Sequence, residues 1–198
     1  MFMKKSTLIW IIVIAVLGII VVWGISRYNA FVTMQENVEN AWGQVENQYQ
    51  RRADLVPNLV ATVKGYAAHE QATLVGVMEA RAKATQMTID PTNATPEQLA
   101  QYQAAQGELS QALGRLMAVA ENYPDLKASE NFRQLADQLE GTENRIAYAR
   151  NLFNDCAKEF NASIRRFPGN IVAGICGFER KPYFEAEAGA EKAPTVEF

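Results

Sequence analysis

Residues 51–70 read RRADLVPNLVATVKGYAAHE, and the proline at position 57 decides how many helices the chain forms. A proline lacks the amide hydrogen that a helix interior uses, so Pro57 marks either the start of a helix or a kink within one. Apolar residues nevertheless recur at spacings of three and four on both sides of it: Val56, Leu59, Val63 and Tyr66.

Two interpretations of Pro57 remain open at the level of sequence. In the first, Asp54 caps a new helix with Pro57 in its first turn, and the segments 28–53 and 55–86 pack as a hairpin. In the second, one long helix is kinked at Pro57. The unbroken apolar stripe and the absence of a turn glycine favour the kink. The aromatic face of 28–53 needs a partner, which favours the hairpin, and on balance we predict the hairpin.

Two further helices follow a loop. Thr95 is a predicted N-cap, Pro96 occupies the first helical position, and Gln98 completes a capping box. A turn at 121–130 separates this third helix from a fourth, which covers 129–166. The pattern predicts an all-α protein, an antiparallel, up-and-down bundle of four helical segments with a break or kink near Pro57.

An apolar segment precedes the bundle. Residues 8–25, LIWIIVIAVLGIIVVWGI, carry no charge and would extend about 27 Å as a helix, close to the hydrocarbon thickness of a bilayer. Trp10 and Trp23 stand near its two ends, where interfacial aromatics are favoured. A cleaved signal peptide would need a small-residue cleavage site, which the following WGISRYN does not offer. We therefore predict a single transmembrane helix that contacts membrane lipid through 8–25.

Charge gives the orientation and excludes one class of partner. Lys4 and Lys5 precede the apolar segment, whereas Arg27 alone follows it closely, which predicts a cytoplasmic N-terminus and an extracytoplasmic body. Residues 28–198 hold 16 Lys and Arg against 22 Asp and Glu, a net charge of −6. An acidic body of this kind predicts no nucleic-acid binding.

These features divide the chain into three parts. Residues 1–27 form the membrane anchor, 28–184 the helical bundle, and 185–198 a tail that lacks any helical stripe and is expected to be disordered.

His69 and Glu70 are the residues that most suggest metal chemistry. A metalloprotease helix requires H-E-x-x-H, whereas this chain reads HEQAT and has no second histidine. A di-iron bundle requires a repeated Glu-x-x-His. We expect no metal and no cofactor, with Glu70 on the packed face beside a basic partner.

Arg52 lies on the apolar stripe, and we take it and the neighbouring Arg51 as structural or interface candidates. A buried guanidinium needs a carboxylate, and Glu140, Glu143 and Glu70 are the candidates. Such a group could belong to an active site, but a paired core charge is more often structural. With one histidine and no nucleophile motif, the sequence predicts no enzymatic activity.

Asparagines recur seven residues apart in the fourth helix. Asn144 and Asn151 form one pair, and Asn154 and Asn161 form another. Seven residues make two turns, so each pair shares a face. The sequence leaves open whether these amides hydrogen-bond across the bundle, bind a partner chain or face solvent.

Four motifs resemble the LemA family of bacterial membrane proteins. They are the stretch at 51–70, ENYPDLKASENFRQL at 121–135, LEGTENRIAYARNLFNDCAKEFN at 139–161, and IRRFPGNIVAGICGFERKPYFE at 164–185. The resemblance implies one N-terminal span in the inner membrane and a helical-bundle body. It implies no established enzymatic activity and no agreed cofactor.

The sequence thus favours a membrane-anchored, non-enzymatic scaffold or interaction protein with an unknown protein partner. We also expect a homo-oligomer, because the aromatic residues of 28–53 exceed what one chain would cover. The alternative is an oligomeric membrane-organising or membrane-remodelling assembly, encouraged by the apolar segment GNIVAGICGF at 169–178. A metal-dependent helical-bundle enzyme is a minor alternative.

Overall fold

A computed structural model describes residues 5–185, and within that range all regular structure is helical. The six helices are α1 (Lys5–Tyr66), α2 (Gln71–Gln86), α3 (Pro96–Ala120), α4 (Pro124–Ala128), α5 (Glu130–Arg165) and α6 (Gly169–Cys176). The all-α prediction is confirmed. So is the capping box, since Thr95 accepts from the Gln98 amide while the Gln98 side chain accepts from the Thr95 amide.

α1 runs without interruption through Pro57, so the predicted hairpin at that position is wrong. The chain turns ten residues later, at 67–70, where the Glu70 amide donates to the Ala67 carbonyl. α1 is 62 residues long, about 93 Å. Among residues 5–185 it is the one helix long and apolar enough to cross a membrane.

The reason that α1 tolerates Pro57 lies in α2. Proline at position 57 cannot donate to the carbonyl four residues earlier, and that carbonyl belongs to Ala53, a buried residue. The Arg81 Nε donates to the Ala53 oxygen at 2.7 Å and replaces the missing intrahelical bond. Pro57 therefore exposes a backbone acceptor that α2 uses to dock.

This pairing gives a testable expectation. Arg81→Met leaves the Ala53 carbonyl buried without a donor and should lower the free energy of unfolding by about 1–3 kcal/mol. In a Pro57→Ala background the loss should be much smaller, because the introduced amide can bond to Ala53. Urea unfolding of the two single variants and the double variant measures the coupling.

Lys83→Met provides the control, since Lys83 lies on the same helix in an exposed ion pair with Glu108 and should contribute little. Equal losses from Arg81→Met in both backgrounds would contradict the compensation.

The other helices pack along α1 in alternating directions. Phe153 of α5 contacts the Trp42 ring at 5.5 Å while Glu143 meets Arg52, so numbers fall along α5 as they rise along α1. Tyr102 of α3 also contacts Trp42, at 5.5 Å between ring centroids, and α3 runs in the same direction as α1. The turn at 67–70 and the bond from Arg81 back to Ala53 together place α2 in the direction opposite to α1.

Two clusters of buried residues fill the body. The proximal core, nearer the apolar end of α1, is built mainly from α1 and α5 and includes Phe31, Trp42, Tyr49, Phe153 and Phe160. The distal core includes Val56, Leu59, Leu109, Leu116 and Phe132. Phe31, Trp42 and Tyr49 are buried within one chain, whereas Tyr28 is 44% exposed, which weakens the expectation that the aromatic residues of 28–53 require a second copy.

The predicted tail lies almost wholly at 186–198, outside the described residues. Its first residue, Glu185, is held to the body, because its carbonyl accepts from Gln103 Nε2 and Arg150 Nη2.

Candidate functional site

The Arg52 guanidinium is the largest polar group in the interior, with 1% of the residue exposed. Its Nη1 donates to Ser110 Oγ at 2.5 Å and to Glu143 Oε1 at 3.0 Å. Its Nη2 donates to the carbonyl and to Oε1 of Gln106, at 3.0 and 2.7 Å. The Tyr49 ring centroid lies 5.1 Å from its Cζ. One side chain thereby joins α1, α3 and α5.

The carboxylate of this pair is Glu143, not Glu140. Glu143 is 39% exposed, so the ion pair lies at the edge of the core rather than in a closed pocket. Glu140, one turn earlier on α5, is exposed. Together they line a shallow surface cleft with Ser110. Through its bonds to Glu143, Gln106 and Ser110, Arg52 holds α1, α3 and α5 in register.

The remaining charged residues of 51–70 do not converge on Arg52. Arg51, Asp54 and His69 are exposed, and Asp54 accepts from Gln50 Nε2 at 2.7 Å. His69 and Glu70 lie in the turn after α1, roughly 20 Å further along the helix axis than Arg52. The stretch therefore forms no single site.

Glu70 has a neutral partner where a basic one was expected. Its Oε1 accepts from the Tyr123 hydroxyl at 3.2 Å. Desolvation first, and then this hydrogen bond and the carboxylate charge, raise the pKa of Tyr123. Within residues 5–185, no cluster of three or more His, Cys, Asp or Glu side chains could hold a metal ion.

The sequence did not predict an array of side-chain amides that binds the extended segment 181–185. Asn161 donates to the Lys181 carbonyl and accepts from the Lys181 amide, both at 2.8 Å. Asn154 makes the same two bonds to Phe184, both at 2.9 Å. Gln103 of α3 repeats the pattern at Glu185. We call these three side chains and their backbone partners the amide ladder.

The seven-residue spacing of Asn154 and Asn161 was the available signal. Seven helical residues advance about 10.5 Å, and the three extended residues from 181 to 184 advance about 10 Å. The two periodicities therefore match on one face of α5. Asn144 and Asn151, the other spaced pair, are exposed.

Side chains of the same segment close the proximal core. Phe184 stacks on Trp42 with ring centroids 5.8 Å apart, and it meets Phe153 edge-on at 5.4 Å. Lys181 is only 5% exposed, with its Nζ donating to the Thr92 carbonyl and lying 5.7 Å from the Phe160 ring centroid. Burial lowers the pKa of Lys181, while the nearby carboxylates Glu39, Asp90 and Glu179 act in the opposite direction.

An apolar groove remains open at the distal end of the body, between α1 and α2. We call it the distal groove. Its volume is about 480 Å³, and it is lined by Val60, Lys64, Ala68, Gln71, Leu74, Val75, Met78, Glu79 and Ala82. Val75 and Met78 are exposed there. Lys64 and Glu79 place opposite charges beside the apolar floor.

Comparison with known proteins identifies relatives across most of the chain. Residues 41–198 match the LemA family. Magnetosome protein MamQ 2 of Paramagnetospirillum magneticum is 30% identical over 200 residues, covering 91% of this chain and 74% of the relative. Magnetosome protein MamQ of Magnetospirillum gryphiswaldense is 33% identical over 181 residues, which cover 82% of this chain and 66% of the relative. Protein LemA of Metamycoplasma hominis is 27% identical over 160 residues, which cover 81% of this chain and 69% of the relative.

Proposed function

Because the chain belongs to the LemA family, we propose that it is a single-pass, non-enzymatic scaffold of the bacterial inner membrane. The observation that carries this proposal is the continuity of α1. Its apolar first part is fully exposed, and the same unbroken helix then becomes the central element of both cores. An antiparallel four-helix bundle joined to a span in this way stands at a fixed height and angle above the bilayer, without a flexible linker.

The arrangement of the polar groups supports a structural role. The Arg52 nitrogens Nη1 and Nη2 bond to Ser110, Glu143 and Gln106, all of which are protein groups. His69 is remote from both cysteines in the sequence and lies in an exposed turn. The positive charges of Lys4 and Lys5 before the span favour an extracytoplasmic position for the body.

The distal groove is the surface that we assign to self-association, with a second copy of this chain as its occupant. Lys64 and Glu79 border the same apolar floor. In a two-fold arrangement the two patches are identical, so Lys64 of one copy can approach Glu79 of the other. Val75 and Met78 would then leave water together.

Light scattering of the full chain in a mild detergent tests this function. The wild type should show a protein mass of at least twice the 22.0 kDa of one chain. Met78→Glu, which places a charge in the groove, should give a monomer. Tyr148→Glu should behave like the wild type, since Tyr148 is an exposed aromatic residue of α5 outside the groove. A monomeric wild type, or dissociation by both variants alike, would contradict self-association through this surface.

A membrane-organising assembly is the second candidate function. The exposed apolar residues of α6 favour it, because a protein that touches the bilayer at two places can impose a shape on it. Electron microscopy of vesicles carrying the full chain separates the two candidates. Ordered arrays or deformed vesicles support the assembly, and smooth vesicles with dispersed dimers support the scaffold.

A further inference from the structure

α6 lies at the end of the body that faces the apolar part of α1. α5 runs towards that end and finishes at Arg165, and α6 follows after a short turn. The Phe178 ring, just beyond α6, lies 5.7 Å from the Tyr28 ring and 5.5 Å from the Phe31 ring. Since Tyr28 is three residues past Ile25, this contact lies roughly 5–9 Å along the axis from the end of the apolar segment.

α6 has one buried and one exposed face. Gly169 and Ala173, four residues apart, are buried, and a side chain at Gly169 would meet the Phe31 ring at 3.2 Å. Ile171 and Ile175, also four residues apart, are exposed, and Ile175 is 81% exposed. Phe167, just before the helix, is 82% exposed. Three large apolar side chains are therefore exposed at this end of the body.

The charges around this apolar face are predominantly positive. Arg165, Arg166 and Arg180 are exposed and flank α6 in sequence, and Arg27 lies on α1 just beyond the apolar segment. Glu179 is the single acidic residue between positions 160 and 184. Glu36 of α1 and Glu179 line a surface pocket beside Cys176 and Phe178, so two carboxylates also lie at this end. An apolar surface flanked in the sequence by exposed arginines is complementary to lipid acyl chains bordered by anionic phosphates.

We infer that Phe167, Ile171 and Ile175, with the surrounding arginines, form a second membrane contact that seats the base of the body in the anionic headgroup region. The inference rests on the proposed membrane span. The occupant follows from continuity, because α1 places this face at the level where its own apolar segment leaves the bilayer. Interfacial helices bury their apolar side about 5–10 Å into the headgroup and acyl boundary, and α6 lies within that reach.

The test uses the full chain in vesicles, with Cys156 and Cys176 first replaced by alanine. An environment-sensitive fluorophore is attached at Ile175→Cys or, as the matched control, at Tyr148→Cys, an exposed position far along α5. The vesicles contain phosphatidylcholine alone or mixed equally with phosphatidylglycerol. Emission wavelength, quenching by aqueous iodide and quenching by lipid-borne nitroxide are recorded.

With phosphatidylglycerol present, the label at position 175 should be blue-shifted, protected from iodide and quenched from within the lipid, while the label at position 148 stays accessible to iodide. Arg165→Gln and Arg166→Gln should each lower the ratio of chains whose body contacts the membrane to chains whose body does not, by roughly fivefold. This is the effect expected for the loss of one cation near an anionic surface.

Three results would overturn the inference. If iodide quenches the labels at positions 175 and 148 equally while the protein resists carbonate extraction, the second membrane contact is absent but the span is present. Protection that rises with the protein-to-lipid ratio assigns the face to a second copy. Release of the protein by carbonate removes the proposed span itself, and the inference with it.

Discussion

Arg52→Met should lower the free energy of unfolding by about 2–4 kcal/mol, less than the full effect of breaking a closed ion pair because Glu143 is 39% exposed and can turn to water. The loss arises because Gln106, Ser110 and Glu143 each accept a hydrogen bond from the guanidinium. In the variant these acceptor oxygens remain in place, but the donor is gone. Arg52→Lys should recover only part of the loss, because the compact ammonium lacks the planar fork with which the guanidinium reaches Gln106 through one nitrogen and Glu143 and Ser110 through the other. Chemical unfolding of the full chain in detergent, followed by circular dichroism, measures both.

A double-mutant cycle identifies the partner. Arg52→Met combined with Glu143→Leu should recover the part of the loss that comes from the unpaired Glu143 carboxylate, while the part that comes from the Gln106 acceptors remains. Arg52→Met combined with Glu140→Leu should be additive, since Glu140 is exposed one turn away and serves as the matched control. If Arg52→Met leaves stability unchanged while cells lose a phenotype, the residue faces a ligand or partner and the structural role is wrong.

Asn161→Ala should lower the free energy of unfolding by about 2–4 kcal/mol. The variant leaves the buried amide and carbonyl of Lys181 without partners, and each unsatisfied group costs about 1–3 kcal/mol. Asn161→Asp should lose at least as much stability, because its carboxylate can still accept from the Lys181 amide but places a negative charge against the Lys181 carbonyl oxygen in a site that is only 2% exposed. Asn151→Ala is the control on the same helix, at an exposed position.

Loss of the Asn161–Lys181 hydrogen bonds should also change the surroundings of the Trp42 ring. Asn154 binds the backbone of Phe184 and so holds the Phe184 ring against Trp42. If residues 181–185 loosen, the environment of the Trp42 indole changes. Amide hydrogen exchange at 181–185 should accelerate in Asn161→Ala and not in Asn151→Ala. Unchanged exchange and unchanged stability together would show that the amide ladder does not hold the segment.

The helical stripes were predictable because each depends on local spacing alone. Val56, Leu59 and Val63 lie on one buried face whether or not a proline intervenes. The course of α1 at Pro57 was not predictable, because the compensating donor, Arg81, comes from another helix. Likewise the stripe indicated that Arg52 needs a carboxylate, but the choice between Glu140 and Glu143 depends on how α5 is rotated against α1.

The segment after α6 escaped prediction for a different reason. It has no periodicity of its own, and its order comes from Asn154, Asn161 and Gln103, which lie 20 to 82 residues away in the sequence. A lysine in such a segment would normally be assigned to the surface, whereas Lys181 is buried against the Phe160 ring.

α1 carries the apolar segment straight into the core as one helix. A single distance within one chain tests this continuity, measured by electron–electron double resonance between spin labels at Ser26→Cys and Lys64→Cys, both exposed positions. Cys156 and Cys176 are first replaced, and the labelled chains are diluted with unlabelled copies in the vesicles so that distances between copies do not contribute. A continuous helix predicts one narrow distance of about 57 Å. A hairpin at Pro57 would bring the labels to about 36 Å, and a hinge beyond the span would give a broad distribution. Either result would show that α1 is not one continuous helix from the apolar segment into the core.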